Sequence, residues 1–483
     1  MAPQITPILL ILAAMCATVN AILPLSVVGA KFFTSDGNQF RLKGVAYQLV
    51  EDDPLVNTTQ CQLDANLMQQ LGANAIRVYH VDPTADHSGC MNAFAAVGIY
   101  LFVDCDSFKT YIRLGSESSW TENKSESYRA VVDNFQQYPN TGGFLVGNEV
   151  LNVGTLFIRS IGVPVADKVS VEDAPAAPYL LSAAVDLKNY IAAKGYRKIP
   201  IGYSATDTGA LRPMLQNYLV CRENPVERLD FYALNSYEWC GSTPTFETSG
   251  YVSLQADANN YPVPIFFSED GCNTVPPRTF NDQNAIFGPN MSDTWSGAII
   301  YEWIQEMNQY GLVSYGPQLD SSVQEGSIIV QGFTRQGVPT PVQPDFNNLQ
   351  QVWKTLNPTG VNSAEYQATF TAVVPRCPAS TEGGWNVIPD APLPTIGVAG
   401  VTPGMPENVP KGTISVETQT SQISVTYSST GNPSTTSSSS ASSATSEAAA
   451  GRTVSKPLSM YDQGFLGMMI ALLAVCAGAV ALL

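Results

Sequence analysis

The sequence predicts an eight-fold (β/α)8 barrel with parallel strands. Three observations predict it. Eight short apolar runs follow one another along the chain, helical patterns fall between several of them, and two of the runs end abruptly in a glutamate. Alternation of strand and helix implies a parallel sheet, and eight repeats imply closure. The runs are Arg41–Tyr47, Asn74–Val81, Tyr100–Asp106, Gly143–Glu149, Ile199–Asp207, Leu229–Tyr237, Pro262–Glu269 and Trp295–Trp303. Each is too short for a helix and reads as a buried strand. Asp64–Leu71 and Tyr179–Lys194 carry helical periodicity. Ahead of the first strand, Leu25–Phe33 reads as an extra hairpin, with Asp36-Gly37 as its turn.

Glu149 closes the fourth run and Glu269 the seventh. Carboxylates at the C-terminal ends of barrel strands stand where catalytic groups are held. Either glutamate alone is more commonly a solvent-facing strand end. Two in the same context are the acid and the nucleophile that glycoside chemistry needs. Asn148, just before the first, is placed to hydrogen-bond a sugar hydroxyl.

The ends of the chain set the compartment. Ile8 to Val19 is apolar, and Val19-Asn20-Ala21 suits a signal peptidase, so residues 1–21 read as a signal peptide, though Met1 to Pro7 lacks the usual Lys or Arg. At the other end, the small residues Ala448 to Gly451, a polar spacer and the uncharged run Gly464 to Leu483 form the signal for a GPI anchor. Attachment at Ala449 makes 450–483 a discarded propeptide. A single membrane span is the alternative, disfavoured because no Lys or Arg follows the tail. Residues 22–377 form the barrel domain. From 378 to 449 Pro, Gly, Ser and Thr dominate, which reads as an O-glycosylated stalk. Asn57, Asn123 and Asn290 open N-glycosylation sequons.

Net charge is −17 and the pI about 4.5. That argues against nucleic acid and suits a neutral polymer. Two histidines and no Cys-x-x-Cys argue against a zinc site, and no phosphate-binding glycine loop stands between a strand and a helix, so no metal or cofactor is expected. Of nine cysteines, Cys16 leaves with the signal and Cys476 with the tail. Seven remain, and most should pair in a secreted chain. Cys105 is the expected odd one. Strand alternation sets it opposite Asp104 and Asp106, which face the barrel mouth, so it faces the helices as a small buried hydrophobe.

Six motifs occur in order: Gly44-Val-Ala-Tyr47-Gln48, Ala75-Ile-Arg77-Val-Tyr79, Gly147-Asn148-Glu149-Val150, Asn235-Ser-Tyr237-Glu-Trp239-Cys240, Phe267-Ser-Glu269-x-Gly271-Cys272 and Tyr310-Gly311-Leu312-Val313. Together they resemble glycoside hydrolase family 72, the fungal GPI-anchored β-1,3-glucanosyltransferases of the cell wall. The resemblance implies a retaining mechanism, with Glu149 as acid/base, Glu269 as nucleophile, and β-1,3-glucan chains as donor and acceptor. It implies that Gln48, Tyr79, Asp104, Asn148, Tyr237 and Tyr301 line the cleft. Tyr310 is a weaker candidate, more simply read as core. It further implies the disulfides Cys61–Cys90, Cys221–Cys377 and Cys240–Cys272, and a monomer held by its anchor at the outer face of the plasma membrane and in the wall.

The chain also departs from the family. Asp270 stands where a tyrosine is usual, and a carboxylate there is expected to raise the pKa of Glu269. Residues 153–167 look like an insertion, residues 314–342 are long, and no Cys-rich binding module follows Cys377. Three activities stay open at this stage: glucan transfer, glucan hydrolysis, and glucan binding without catalysis.

Overall fold

A computed structural model describes residues 22–113, 118–151, 174–209, 211–371, 373–381 and 384–398, all within one compact unit, Met1–Pro403. The signal peptide, the 153–167 insertion, the anchor site at Ala449 and the stalk beyond residue 398 lie outside the described residues.

All eight expected runs form strands. They are β4 (Leu42–Ala46), β5 (Ala75–Val78), β6 (Tyr100–Asp104), β7 (Thr141–Asn148), β8 (Ile201–Thr206), β9 (Phe231–Asn235), β10 (Ile265–Asp270) and β11 (Trp295–Ile300). Each pairs in parallel with the next, and β11 closes on β4. At that seam a Cβ on Gly297 would sit 2.1 Å from the Leu42 carbonyl oxygen, so only glycine lets the strands meet. The helices are α1 (Thr58–Leu71), α2 (Ser88–Ala96), α3 (Glu122–Phe135), α4 (Ala177–Lys194), α5 (Arg212–Tyr218), α6 (Tyr251–Ala258), α7 (Asp282–Ile286), α8 (Asp345–Thr355) and α9 (Ser363–Thr369). Helix α1 starts at Asn57, whose side chain accepts from Gln60 N, and stops at Gly72 in the left-handed region.

The apolar side chains split into two layers, as strand alternation requires. Val45, Ile76, Val103, Val146 and Phe267 point outward to the helices. Leu42, Ala75, Phe102, Phe231 and Phe266 point inward. Phe32 joins the inner layer from below, with ring centroids 5.9, 5.8 and 6.1 Å from Phe102, Phe231 and Phe266. Four phenylalanines thus form the floor of the barrel.

Phe32 belongs to a small antiparallel sheet of β1 (Leu25–Val28), β2 (Lys31–Thr34) and β3 (Gln39–Phe40). The expected hairpin is present, but it turns at Gly29-Ala30. Asp36-Gly37 turns the second hairpin, between β2 and β3, where Gly37 has φ +89°. Two turn signals lie within nine residues, and the shorter strands use both.

Three disulfides join Cys61 to Cys90, Cys221 to Cys377, and Cys240 to Cys272. Cys105 is free, buried and packed in the outer layer. The long 314–342 segment contributes two short antiparallel ladders, Val313–Ser314 with Thr340–Pro341 and Ile329–Val330 with Phe333–Thr334.

Beyond Cys377, described residues between 384 and 398 pack along the barrel flank as a strap. Trp385 and Val387 are each 3% exposed, and Trp385 meets Tyr218 edge-on at 5.5 Å. Arg222 donates to the carbonyls of Pro389 and Ala391, and Ser182 Oγ to that of Pro394. Two large side chains and captured carbonyls hold a segment whose composition reads as stalk.

Candidate active site

Strict alternation does not bring the two glutamates' neighbourhood together. From the inward Leu145, residue 147 would face in and Asn148 out. From the inward Phe266, Ser268 would face in and Glu269 out. Bulges change this. Three residue steps of β7 (Leu145 to Asn148) span two of β8, and two steps of β10 (Phe267 to Glu269) span one of β9. A β-bulge re-aims the side chains beyond it. Asn148 and Glu269 therefore turn inward beside Arg77. Glu149 follows with φ +49°, a left-handed conformation uncommon for a residue with a side chain.

Arg77 is fully buried at the centre. It grips Asp104 with two bonds, Nε to Oδ1 at 3.1 Å and Nη2 to Oδ2 at 2.8 Å. It donates to Asn148 Oδ1 at 3.0 Å and to Ser204 Oγ at 3.0 Å, and its Nη1 lies 3.5 Å from Glu269 Oε1. Asn235 Nδ2 donates to Asn148 Oδ1 at 3.1 Å and to Glu149 Oε1 at 2.9 Å. The Ser268 hydroxyl, at 2.8 Å from Asn235 Oδ1, fixes which way that amide points. The Asn148 carbonyl oxygen is thus held at once by Arg77, Ser204 and Asn235.

Glu269 sits among donors. Tyr79 Oη is 2.9 Å from Oε1, Tyr237 Oη is 2.8 Å from Oε2, and the Arg77 cation lies alongside. Burial pushes Glu269 up to about 7, and the Glu149 charge adds to the rise, against Arg77 and the two tyrosines. Burial also raises Glu149, opposed by Asn235 and Arg77. Each charge disfavours the other, while the two tyrosine hydroxyls and the Arg77 cation stabilise the ionised form of Glu269 against its burial. Just past β6, Asp106 is pushed to about 8 by burial and by Asp104.

The tyrosines continue this wall. Tyr237, Tyr301 and Tyr310 meet edge to face, with centroids 5.4 to 6.4 Å apart. The Cys240–Cys272 bridge ties the loops after β9 and β10 beside them. Gln48 braces two loops. Its Nε2 donates to the Val50 carbonyl, and its Oε1 accepts from Tyr79 N and His80 N.

Asp270 does not act as the sequence suggested. Its side chain turns outward, where Gln283 Nε2 donates both to it (2.7 Å) and to Asp282 (2.6 Å). Burial raises Asp270 strongly, and Asp282 adds to that rise. The shift in Glu269 has the causes given above. Sequence reasoning missed Arg77, Ser204, Asn235 and Ser268 as site residues. Arg77 and Asn235 each lie two residues before a tyrosine of the cleft, so period-two alternation was the signal that places them inside. A concavity of about 1060 Å³ lies on the flank between α4, Arg222 and the strap, and neither glutamate lines it.

The comparisons with known proteins agree with this geometry. A family model described as Glucanosyltransferase, of glycoside hydrolase family 72, matches residues 14–327. The 1,3-beta-glucanosyltransferase gas2 of Schizosaccharomyces pombe is 38% identical over 392 residues, covering 77% of this chain and 76% of that protein. The 1,3-beta-glucanosyltransferase GAS2 of Saccharomyces cerevisiae is 34% identical over 395 residues, covering 76% of this chain and 63% of that protein. Several of these relatives are thus longer than the matched part. The structure of Saccharomyces cerevisiae Gas2p with laminaritetraose and laminaripentaose superposes with a TM-score of 0.65 at 33% identity, covering 78% of this chain and 76% of that one.

Proposed function

This chain belongs to the glucanosyltransferase family, glycoside hydrolase family 72, and from that premise we propose that it is a retaining β-1,3-glucanosyltransferase acting on cell-wall glucan. The observation that carries the assignment of roles is the setting of Glu269, at the end of β10, where two tyrosine hydroxyls and the Arg77 cation meet its carboxylate, as an anionic nucleophile needs.

The charged Glu269 attacks the anomeric carbon of an internal glucose unit in the donor. Glu149 gives its proton to the departing glycosidic oxygen, and a glycosyl ester forms on Glu269. The 3-hydroxyl at the non-reducing end of a second glucan then enters. Glu149, now a carboxylate, takes the hydroxyl proton, and the new β-1,3 bond releases Glu269. Attack from opposite faces retains the anomeric configuration and calls for carboxyls about 5 to 5.5 Å apart. Asn148 contributes a contact to the sugar 2-hydroxyl that strengthens in the transition state.

The protein works as a monomer at the outer face of the plasma membrane and in the wall. Its support for that place is the apolar leader, the sequons at the exposed Asn57, Asn123 and Asn290, and the tail with its small-residue site near Ala449. A phosphatidylinositol-specific phospholipase should release it from membranes.

Incubation of the soluble domain with a reduced laminari-oligosaccharide tests the activity. Products longer than the donor mean transfer, shorter ones alone mean hydrolysis, and unchanged donor means a binding protein. Glu269→Gln should abolish product formation, and a wild-type rate in that variant would remove the nucleophile role.

A further inference from the structure

Arg278 lies between β10 and α7, outside the constellation just described, and is 2% exposed. Its guanidinium is spent almost entirely on backbone. Nη1 donates to the Tyr301 carbonyl at 2.9 Å and Nη2 to the Tyr310 carbonyl at 2.6 Å. Nε bonds Asp345 Oδ2 of α8 at 3.0 Å, and the Arg278 backbone N–H reaches the other Asp345 oxygen at 3.2 Å. Asn348 of the same helix donates to the Arg278 carbonyl at 2.8 Å. The guanidinium also lies over the rings of Phe280 and Tyr310, 4.9 and 5.9 Å from their centroids.

These contacts form a chain. Helix α8 fixes Arg278, and Arg278 fixes the backbone of two loops after β11 at the residues whose rings abut Tyr237. We propose that Arg278 is a positioning residue for the reaction, setting Tyr301 and Tyr310 so that they orient the Tyr237 hydroxyl against Glu269. It touches neither substrate nor nucleophile. A planar fork with five N–H donors can hold two carbonyls and a carboxylate at once, which the single ammonium of a lysine does not reproduce.

The consequence reads out in the pH profile. Glu269 is faced by Arg77 and Tyr79 from β5, by Asp104 behind Arg77, by Glu149 after β7, by Tyr237 after β9, and by Glu302 and Tyr310 after β11. If Tyr237 swings away, Glu269 loses a donor to its ionised form and takes up a proton more readily.

The test is Arg278→Lys, assayed as kcat/KM against pH with laminari-oligosaccharide. The acid limb should move to higher pH by about one unit, the shift expected when much of one hydrogen bond to a carboxylate is lost. In a Tyr237→Phe background the same substitution should move the limb no further, because the path already ends there. Arg222→Lys is the control. Arg222 also holds two backbone carbonyls, but on the strap, so it should lower stability and leave the limb in place. Should Arg278→Lys not fold, Asp345→Asn loosens the same anchor and should shift the limb the same way by less. An unmoved limb in the folded variant, or shifts that add in the double variant, would overturn the proposal. It rests on Glu269 being the nucleophile. Failure of that premise shows instead as activity in Glu269→Gln.

Discussion

Removing one hydroxyl, in Tyr237→Phe, isolates what holds the nucleophile charged. The bond it deletes is 2.8 Å long and joins the half-buried Tyr237 to the buried Glu269. A hydrogen bond to a charged partner is worth roughly 1.5–3 kcal/mol. One pKa unit corresponds to 1.36 kcal/mol, so the Glu269 carboxyl should rise by roughly one to two units from its value of about 7. The sign follows from the mechanism. Glu269 attacks as an anion, and raising its pKa shrinks the anionic fraction at every pH below it. On the acid side kcat/KM should therefore fall by about 10- to 100-fold, which is one to two units. Well above the new pKa the loss should be much smaller. The assay is initial rate against pH with a reduced laminari-oligosaccharide, for both proteins, with their folding compared by circular dichroism. An acid limb that stays put, with activity lowered equally at all pH values, would refute the reasoning.

Two further predictions concern stability. Trp385→Ala empties a buried site against Tyr218 and should cost about 3–5 kcal/mol in denaturant unfolding of residues 22–398; a loss below about 1 kcal/mol would show that the strap contributes little. His87 is buried with Asp53 Oδ2 2.7 Å from Nε2 and Asn134 Oδ1 2.8 Å from Nδ1, and Asn134 commits its NH2 to the Pro83 and Ala85 carbonyls. Both ring nitrogens therefore face acceptors, an arrangement that favours the protonated ring; burial opposes this, but Asp53, Asn134 and Asp82 outweigh it and the pKa is raised. Its contribution is fully present below the unfolded value near 6.5 and is lost as pH rises through the folded one. Thermal stability should fall across that interval in the wild type, and His87→Gln should flatten the fall.

The barrel and its two glutamates were legible because their signals are local. Each strand is a run of consecutive apolar residues, and each glutamate ends one. What escaped depends on partners distant in sequence. The bulges that turn Asn148 and Glu269 inward arise from a mismatch in length against β8 and β9, which neither strand shows alone. Arg77 reads as a charge interrupting a strand until Asp104 is seen beside it. Trp385 and Val387 are isolated apolar residues in a Pro- and Gly-rich segment, too few to show a period. Asp270 was read by its sequence neighbour, whereas its contacts are set by the face of β10 on which it falls.

The phenylalanine floor has a consequence for how a polymer moves. Phe32, Phe102, Phe231 and Phe266 stop the lower end of the barrel, so no strand of sugar passes through it like thread through a needle. A glucan must approach and depart across the upper rim, with both of its ends free to run outward over the surface. A chain lying over a rim need not present a terminus first. It can be gripped anywhere along its length, cut there, and its held portion joined to a newcomer arriving on the side the cut piece has left. Splicing inside an existing meshwork, where free ends are scarce, asks for that kind of access.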